Sequence, residues 1–458
     1  MPSIHLTDTA TGRKSPFAPA DPTAIGMYVC GPTVYDRAHL GNARSAVVFD
    51  LLYRVLRGAY GPEAVTYARN FTDVDDKIIA AAEVRYPDIE PTRAIGRITR
   101  ETIEWYHEDM DAIGVLRPDF EPRATVYIAE MVEDIETMIE KGVAYEAEGH
   151  VFFSAEKNPV PGHLSGRKLD DETLHRVEPN PLKHHPADFV LWKPARDREP
   201  GWDSPWGYGR PGWHIECSAM ATRILGSSFD IHGGGADLAF PHHDNEMAQA
   251  KCCAPKADYA RTWLHNGMIT VEGRKMSKSL GNFTTVADLR SRLPGGAIRL
   301  ALLAAQYRAN LDWSEALEAR SLAAWSKFGD LALGVQPARV VPAPVLKALH
   351  DDLNTAQAIA ALHALYRSRD AAGLAASLEL MGISLEEDRI SLDEDLSQVI
   401  EALLARRQAA RAEKDFATSD RIRDALIAAG VEIKDAPEGT TWQSGAAIDA
   451  DAVKSIRL

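Results

Sequence analysis

Between residues 25 and 69 the chain reads as strand, helix, strand. Ile25 to Val29 is a short apolar run that enters Cys30-Gly31-Pro32. From Asn42 to Leu56 apolar residues recur at helical spacing. Ala64 to Ala68 is a second strand, ending in Arg69-Asn70-Phe71-Thr72-Asp73. A strand followed by a crossover helix and another strand opens a parallel α/β unit. This commits the chain to a buried sheet covered by helices on its faces.

The rest of the chain divides around that unit. Residues 92–143 read as two long amphipathic helices, broken near Leu116-Arg117-Pro118. From about 145 to 205, Pro, His and charge are frequent and helical periodicity is lost, so an inserted subdomain is expected there. The α/β pattern returns at Phe229-Asp-Ile-His and runs to about Met268. Beyond Pro294-Gly295-Gly296 the chain is almost continuously helical, with a loop from Gly334 to Pro344. The end holds one polar helix, Ser397 to Ala429, and a Gly- and Thr-rich tail with β character. At 458 residues, two to four domains are expected. The layout is a split α/β domain, an insert, a helical bundle and a small C-terminal module.

Composition excludes several classes. Hydrophobic residues at 45% and charged residues at 26% describe a soluble globular chain. No apolar run nears the ~18 residues that span a bilayer. The first residues lack an apolar core, so no secretory signal is expected there. Four cysteines are too few to staple the fold and are read as cytoplasmic thiols or metal ligands. The net charge of −15 opposes indiscriminate polyanion binding but leaves room for a local basic patch.

Five motifs carry chemistry. His39-Leu40-Gly41-Asn42 follows a strand and opens a helix. Helix N-termini bind anions, Gly41 lets a nucleotide approach, and His39 can donate to a phosphate oxygen. The ordinary alternative is a strand–helix turn with a surface His. Lys275-Met276-Ser277-Lys278-Ser279 suits a mobile loop that closes over a triphosphate and steadies charge on departing pyrophosphate. A solvated basic loop is the alternative. Cys30, Cys217, His242, His243 and Glu246 form a set of soft and borderline ligands, from which two thiolates, an imidazole and a carboxylate would suit Zn²⁺. His242 and Glu246 share a face if Pro241 starts a helix. Each cysteine could instead be a small buried hydrophobe. His214, Glu216 and His243 could support the donors or be structural. In His232-Gly233-Gly234-Gly235-Ala236-Asp237, glycines such as Gly234 permit close backbone approach, and Asp237 can hold a ribose hydroxyl. A tight turn is the alternative. Finally, Arg406, Arg407, Arg411, Lys414, Arg421 and Arg423, with Trp442, offer cations for phosphates and a ring for base stacking. The interleaved Glu413, Asp415, Asp420 and Asp424 make a solvated helix face the plainer reading.

Taken together, these residues resemble the cysteinyl-tRNA synthetases among class I aminoacyl-tRNA synthetases, nearly end to end. The resemblance runs through Tyr28-Val-Cys-Gly-Pro-Thr-Val-Tyr35, Asn70-Phe-Thr-Asp-Val-Asp-Asp-Lys77, Trp213-His-Ile-Glu-Cys-Ser-Ala-Met220, His232 to Gly235, Phe240 to Glu246 and Lys275 to Asn282. It continues in Ala417 to Asp424 and Gly439-Thr-Thr-Trp442. It implies an α/β fold: a Rossmann-like parallel-sheet catalytic domain split by an insertion, then an α-helical bundle and a small mixed C-terminal domain. The implied boundaries are 1–120 and 206–265 for the catalytic halves and 121–205 for the connective insert. Residues 266–310 would form the lysine loop and stem-contact region, 311–395 the bundle and 396–458 the anticodon-binding domain.

The same resemblance implies one Zn²⁺ per chain on Cys30, Cys217, His242 and Glu246, gripping the thiolate of substrate L-cysteine. Thr72, Trp213 and His232, with Cys30, would form the cysteine pocket. ATP with Mg²⁺ would bind Pro32 to Asn42 and the lysine loop, with Lys278 the main lysine contact. His39, Asn42, Lys275 and Lys278 would act on the reacting phosphate. Asn42 stands where many class I enzymes have His, and it cannot become cationic. The expected product is cysteinyl-tRNA(Cys), made in the cytoplasm by a monomer without a membrane partner. The nearest rival is a cysteine ligase of mycothiol biosynthesis that shares the catalytic core but uses a glucosaminyl-inositol amine. The C-terminal basic helix and the GTTW tail count against it. A non-catalytic RNA-binding or zinc-sensing paralogue is opposed by the intact His39, Lys275 and Lys278.

Overall fold

A computed structural model of the chain describes residues 3–166, 180–196, 199–276, 282–386, 394–412, 415–429, 431–436, 439–444, 452–453 and 456. Strands β1 (His5–Asp8) and β2 (Arg13–Pro16) form an antiparallel hairpin that leads into β3 (Ile25–Val29). All five residues of β3 are buried, as befits a strand with a neighbour on each side. Helix α1 (Leu40–Tyr60) follows, then β4 (Val65–Arg69), α2 (Asp76–Arg85), α3 (Pro91–Ala112) and α4 (Ile128–Glu140).

The interruption anticipated after this unit is a separate antiparallel sheet. Its strands are β5 (Ala144–Ala147), β6 (His150–Phe153), β7 (Phe189–Pro194) and β8 (Gly209–Pro211), in that order. Helix α5 (Trp213–Leu225) returns the chain to β9 (Ser228–Gly235), α6 (Asp244–Cys253) and β10 (Tyr259–Asn266). The main sheet is then parallel throughout, in the order β10-β9-β3-β4. The chain leaves β3 toward β4 on one side and later returns to β9 on the other. Ligands of such sheets bind where that reversal opens a crevice at the strands' carboxyl ends.

Side chains alternate across the sheet. Ile25, Met27 and Val29 enter one core with α1 and α3, while Tyr28, Ala68 and Phe229 enter another with α4, α5 and the insert. Downstream, β11 (Ile269–Val271), β12 (Arg274–Lys275), α7 (Val286–Arg290), α8 (Gly295–Leu302) and β13 (Leu311–Trp313) lead into a helical bundle. The bundle is α9 (Glu315–Ala332), α10 (Ala343–His350), α11 (Thr355–Arg367) and α12 (Ala371–Leu380). Its apolar face continues the α1 core.

The last segment differs from the single polar helix expected over 397–429. It is two helices, α13 (Glu394–Ala412) and α14 (Phe416–Ala428), followed by the hairpin β14 (Val431–Ala436) and β15 (Gly439–Ser444). Asp415 starts α14 by accepting the Thr418 N–H at 3.1 Å. A cap of this kind ends one helix and begins another without Gly or Pro. This segment has its own core around Ile400, Leu403, Ile422 and Leu426.

Candidate active site

Four elements bring the predicted donors together at the crevice. Cys30 ends β3, where its N–H bonds to Gly233 O at 3.0 Å. Cys217 sits in the first turns of α5, whose residues 215–221 are all buried. His242 lies in the wide helical turn Ala239–His243, and Glu246 lies in α6 just beyond it. One donor atom from each of Cys30, Cys217, His242 and Glu246 lies within 4.8 Å of all the others, and all four residues are buried. The Cys30 thiol donates to Glu246 Oε1 at 3.3 Å, and His242 Nε2 meets the same oxygen at 3.0 Å. The other carboxylate oxygen, Oε2, accepts from Tyr259 OH and contacts His232 Nε2, each at 2.9 Å. His242 Nδ1 faces His214 Nδ1 at 2.9 Å, and the Trp213 ring stacks on His242 at 4.2 Å. Each of these two donors is thus oriented from behind.

Burial and neighbouring charge set the protonation states. Burial opposes the charge on Glu246, but His232 and His242 outweigh it and hold the carboxyl well below its usual range. Burial also opposes a charged His242, yet Glu246 and Cys217 raise it to about 10. Cys217 is lowered to about 6, its burial offset by the Cys30 and His242 contacts. Burial and the Cys217 contact push Cys30 well above the thiol range.

These donors fit a soft divalent cation. Tetrahedral Zn²⁺, with bonds of ~2.0–2.3 Å, needs ligand atoms ~3.3–3.8 Å apart, within the spread of this cluster. Two sulfurs disfavour Mg²⁺ and Ca²⁺. His232 and His243 also lie close enough to join Cys30 and Glu246 in a second grouping. His232 Nε2 is engaged with Glu246 Oε2, whereas His243 Nδ1 meets His265 at 2.7 Å and its buried Nε2 has no hydrogen-bond partner among the described residues.

The cluster forms one end of a cavity of about 300 Å³ whose other walls carry the nucleotide motifs. Pro32, His39, Gly41, Asn42, Thr72, Trp213, Gly235 and Asp237 line it together with Cys30, Cys217 and His242. His39 caps α1: its Nδ1 accepts the Asn42 N–H at 3.3 Å, and Asn42 Oδ1 accepts the His39 N–H at 3.2 Å. A Cβ on Gly41 would lie 2.8 Å from the His39 ring, so glycine is what lets that ring fold over the helix end. Thr72 Oγ1 donates to Glu216 Oε2 at 3.1 Å, which gives buried Glu216 a supporting role. Two predicted residues sit behind the wall. His232 is fully buried against Glu246 and Trp263, and Gly234 packs beneath His243.

The lysine loop starts from β12, where Lys275 is exposed and its carbonyl accepts from Asn282 Nδ2 at 3.1 Å. Ser277 to Gly281, and with them Lys278, lie outside the described residues. The loop's far end is bolted to the first motif. Leu40 N–H bonds to Thr284 O at 3.1 Å, Val286 N–H bonds to Ala38 O at 3.3 Å, and Phe283 meets the His39 ring edge-on.

Sequence reasoning missed Tyr259 and His265 behind the cluster, and Asn266-Gly267-Met268 on the cavity wall. The last three follow β10 directly, and a strand's carboxyl end was the available signal. In the C-terminal segment, Arg406, Arg411 and Arg421 are exposed, whereas Arg407 is 4% exposed and packs inside the module. Arg407 thus cannot serve as a surface contact for RNA. Trp442 lies in β15, paired with Ile433, and Lys414 lies outside the described residues.

Known proteins resemble the chain along its length. Residues 16–322 match the model of the class I (C) tRNA synthetase catalytic domain, and residues 393–442 match that of the cysteinyl-tRNA ligase anticodon binding domain. The cysteine–tRNA ligase of Cereibacter sphaeroides is 50% identical over 98% of both chains. That of a Ruegeria species is 50% identical over the whole of both. Among solved structures, the methionyl-tRNA synthetase of Mycobacterium tuberculosis in complex with methionyl-adenylate shares the fold. It has a TM-score of 0.52 and 14% identity, over 88% of this chain and 87% of that one.

Proposed function

The chain belongs to the cysteinyl-tRNA synthetase family of class I ligases, and from that premise we propose that its central cavity is where cysteine meets ATP. The enzyme is a cysteine–tRNA ligase: ATP, L-cysteine and tRNA are its substrates, and cysteinyl-tRNA, AMP and pyrophosphate its products. The observation that carries the site assignment is the convergence of the thiol–imidazole–carboxylate cluster and the helix-end nucleotide motif on one cavity.

Cys30, Cys217, His242 and Glu246 would hold one Zn²⁺, with Glu246 steadied by Tyr259 and His232. Bound there, zinc would favour a thiolate over a neutral hydroxyl, a distinction that an apolar pocket makes poorly. Thr72 and Trp213 line the cavity beside the cluster and would flank the cysteine. Gly235 and Asp237, at the end of β9, would receive the ribose, and the N-terminus of α1 with His39 and Asn42 would face the phosphates. Asn42 spends its carbonyl on the helix cap, which leaves its amide hydrogens for an anion. ATP would arrive with Mg²⁺, and Lys275 and Lys278 would close on its triphosphate.

In the first step, the cysteine carboxylate attacks the α-phosphorus and the bond to pyrophosphate breaks. In the second, a ribose hydroxyl at the tRNA 3′ end attacks the activated carbonyl and AMP leaves. Neither step needs a protein nucleophile, so this chain's residues contribute alignment and charge stabilisation. We assign residues 1–120 and 206–265 to the nucleotide fold and 396–458 to the tRNA anticodon. Exposed Arg406, Arg411 and Arg421 are RNA contacts, and Trp442 stands on the adjoining hairpin. We read the enzyme as a cytoplasmic monomer; no helix of the described residues is long and apolar enough to cross a membrane. Cysteine-dependent ATP–pyrophosphate exchange tests the reading. Exchange with cysteine and little with serine is expected, and equal exchange with both would refute the role given to the cluster.

A further inference from the structure

Arg44 lies on α1, two residues past Asn42, and is fully buried. Burial alone lowers its pKa, to about 10, and no carboxylate pairs with it among the described residues. Its guanidinium instead faces backbone carbonyls of two separate turns. Nη1 donates to Gly267 O and Met268 O, each at 2.8 Å, in the turn between β10 and β11. Nη2 donates to Ala309 O at 2.6 Å, with Tyr307 O at 3.4 Å and Gln306 O at 3.5 Å, in the turn between α8 and β13. Converging carbonyl dipoles repel one another, and a buried cation without polar partners is costly. Each half of the arrangement therefore requires the other.

The first of these turns is nucleotide wall: Asn266, Gly267, Met268 and Ile269 line the cavity. The two turns also hold each other. Gly267 N–H bonds to Tyr307 O at 2.8 Å, Leu311 N–H to Met268 O at 2.9 Å, and Met268 N–H to Asn310 Oδ1 at 3.0 Å. They lie so close that a Cβ on Gly267 would fall 2.4 Å from Ala309 O. β11 and β12 then lead from this wall to Lys275.

We propose that Arg44 is a positioning residue for nucleotide binding, fixing the Gly267–Met268 wall at a set distance from the His39–Asn42 end of the same helix. This rests on the placement of ATP in the cavity given above. Arg44 touches no substrate. It fixes the register between the Gly267–Met268 wall of the cavity and the α1 end that faces the phosphates, and the cysteine-binding cluster lies outside its reach.

The test compares Arg44→Lys, which keeps the charge but loses the fork, with Lys278→Ala. Readouts are KM for ATP and for cysteine in pyrophosphate exchange, and the affinity for AMP, which lacks the terminal phosphates. Arg44→Lys should raise KM for ATP and weaken AMP binding by about tenfold each, with KM for cysteine within about twofold. Lys278→Ala should leave AMP binding intact. Unchanged ATP and AMP affinities in Arg44→Lys, or a parallel rise in both Michaelis constants, would overturn the proposal. Should Arg44→Lys fail to fold, Asn310→Ala removes one bond between the turns from the exposed side. It should weaken AMP binding by about threefold, and unaltered AMP binding there would also overturn the proposal. Absence of cysteine-dependent exchange in the unmodified protein would sink the functional reading and leave the AMP comparison to judge Arg44.

Discussion

Asp134 is a single carboxyl whose cost to the fold can be measured. Burial pushes it from 3.8 up to about 6, only partly relieved by Arg223 and aggravated by Glu133 and Glu130. A carboxyl raised by folding favours the folded state fully below pH 3.8 and loses that contribution as the pH climbs through 6. At pH 7.5 the ionised Asp134 therefore costs on the order of 2–3 kcal/mol. Asp134→Asn should raise Tm by several degrees at pH 7.5, with the gain shrinking toward pH 5; an equal gain at both would refute the titration. At the proposed zinc site, Tyr259→Phe deletes one of the two bonds on Glu246 Oε2 and should weaken zinc affinity by about tenfold in chelator competition. Cys30 and Cys217 were legible as thiols of a candidate donor set, but no local spacing joins them, so donor chemistry grouped them and the fold brings them together. Tyr259 and Arg44 look like ordinary strand and helix residues; their work lies in what the other elements bring to them. Arg407 looked like its neighbours Arg406 and Arg411, yet helical phase turns it inward.

At the scale of elements, apolar periodicity located β3 to the residue and placed β4 within one position, because buried parallel strands leave short continuous apolar runs. Lost periodicity from about 145 also marked the inserted segment, though not the four-stranded sheet that fills it. The polar C-terminal helix was misread as one because the break depends on the Asp415 cap rather than on Gly or Pro. That break matters for RNA, since it turns α14 back on α13 and gives the module two helix faces. Replacing Arg406, Arg411 and Arg421 together with Glu should raise KM for tRNA at least about tenfold. Pyrophosphate exchange, which needs no tRNA, should stay unchanged. An unaltered KM for tRNA would move the anticodon contact elsewhere.

Across the whole molecule, the nucleotide fold and the helical bundle are joined by a buried cation. Arg299 of α8 pairs with Asp50 of α1, and bonds to Met381 O at 2.7 Å beyond α12 and Gly114 O at 3.1 Å beyond α3. Both partners are fully buried, so Asp50→Ala strands a charge and should cost about 3–5 kcal/mol in denaturant unfolding. A loss under 1 kcal/mol would mean the bundle is held by its apolar face alone. On that frame, β3, α5, the Ala239–His243 turn and α6 deliver two sulfurs, an imidazole and a carboxylate to one end of the cavity in which α1 presents its amino terminus. The most direct measurement is cysteine-dependent pyrophosphate exchange by chelator-stripped protein as Zn²⁺ is returned. The rate should climb from near zero to a plateau at about one equivalent of zinc per chain. Full activity in the stripped, metal-free protein would contradict the account.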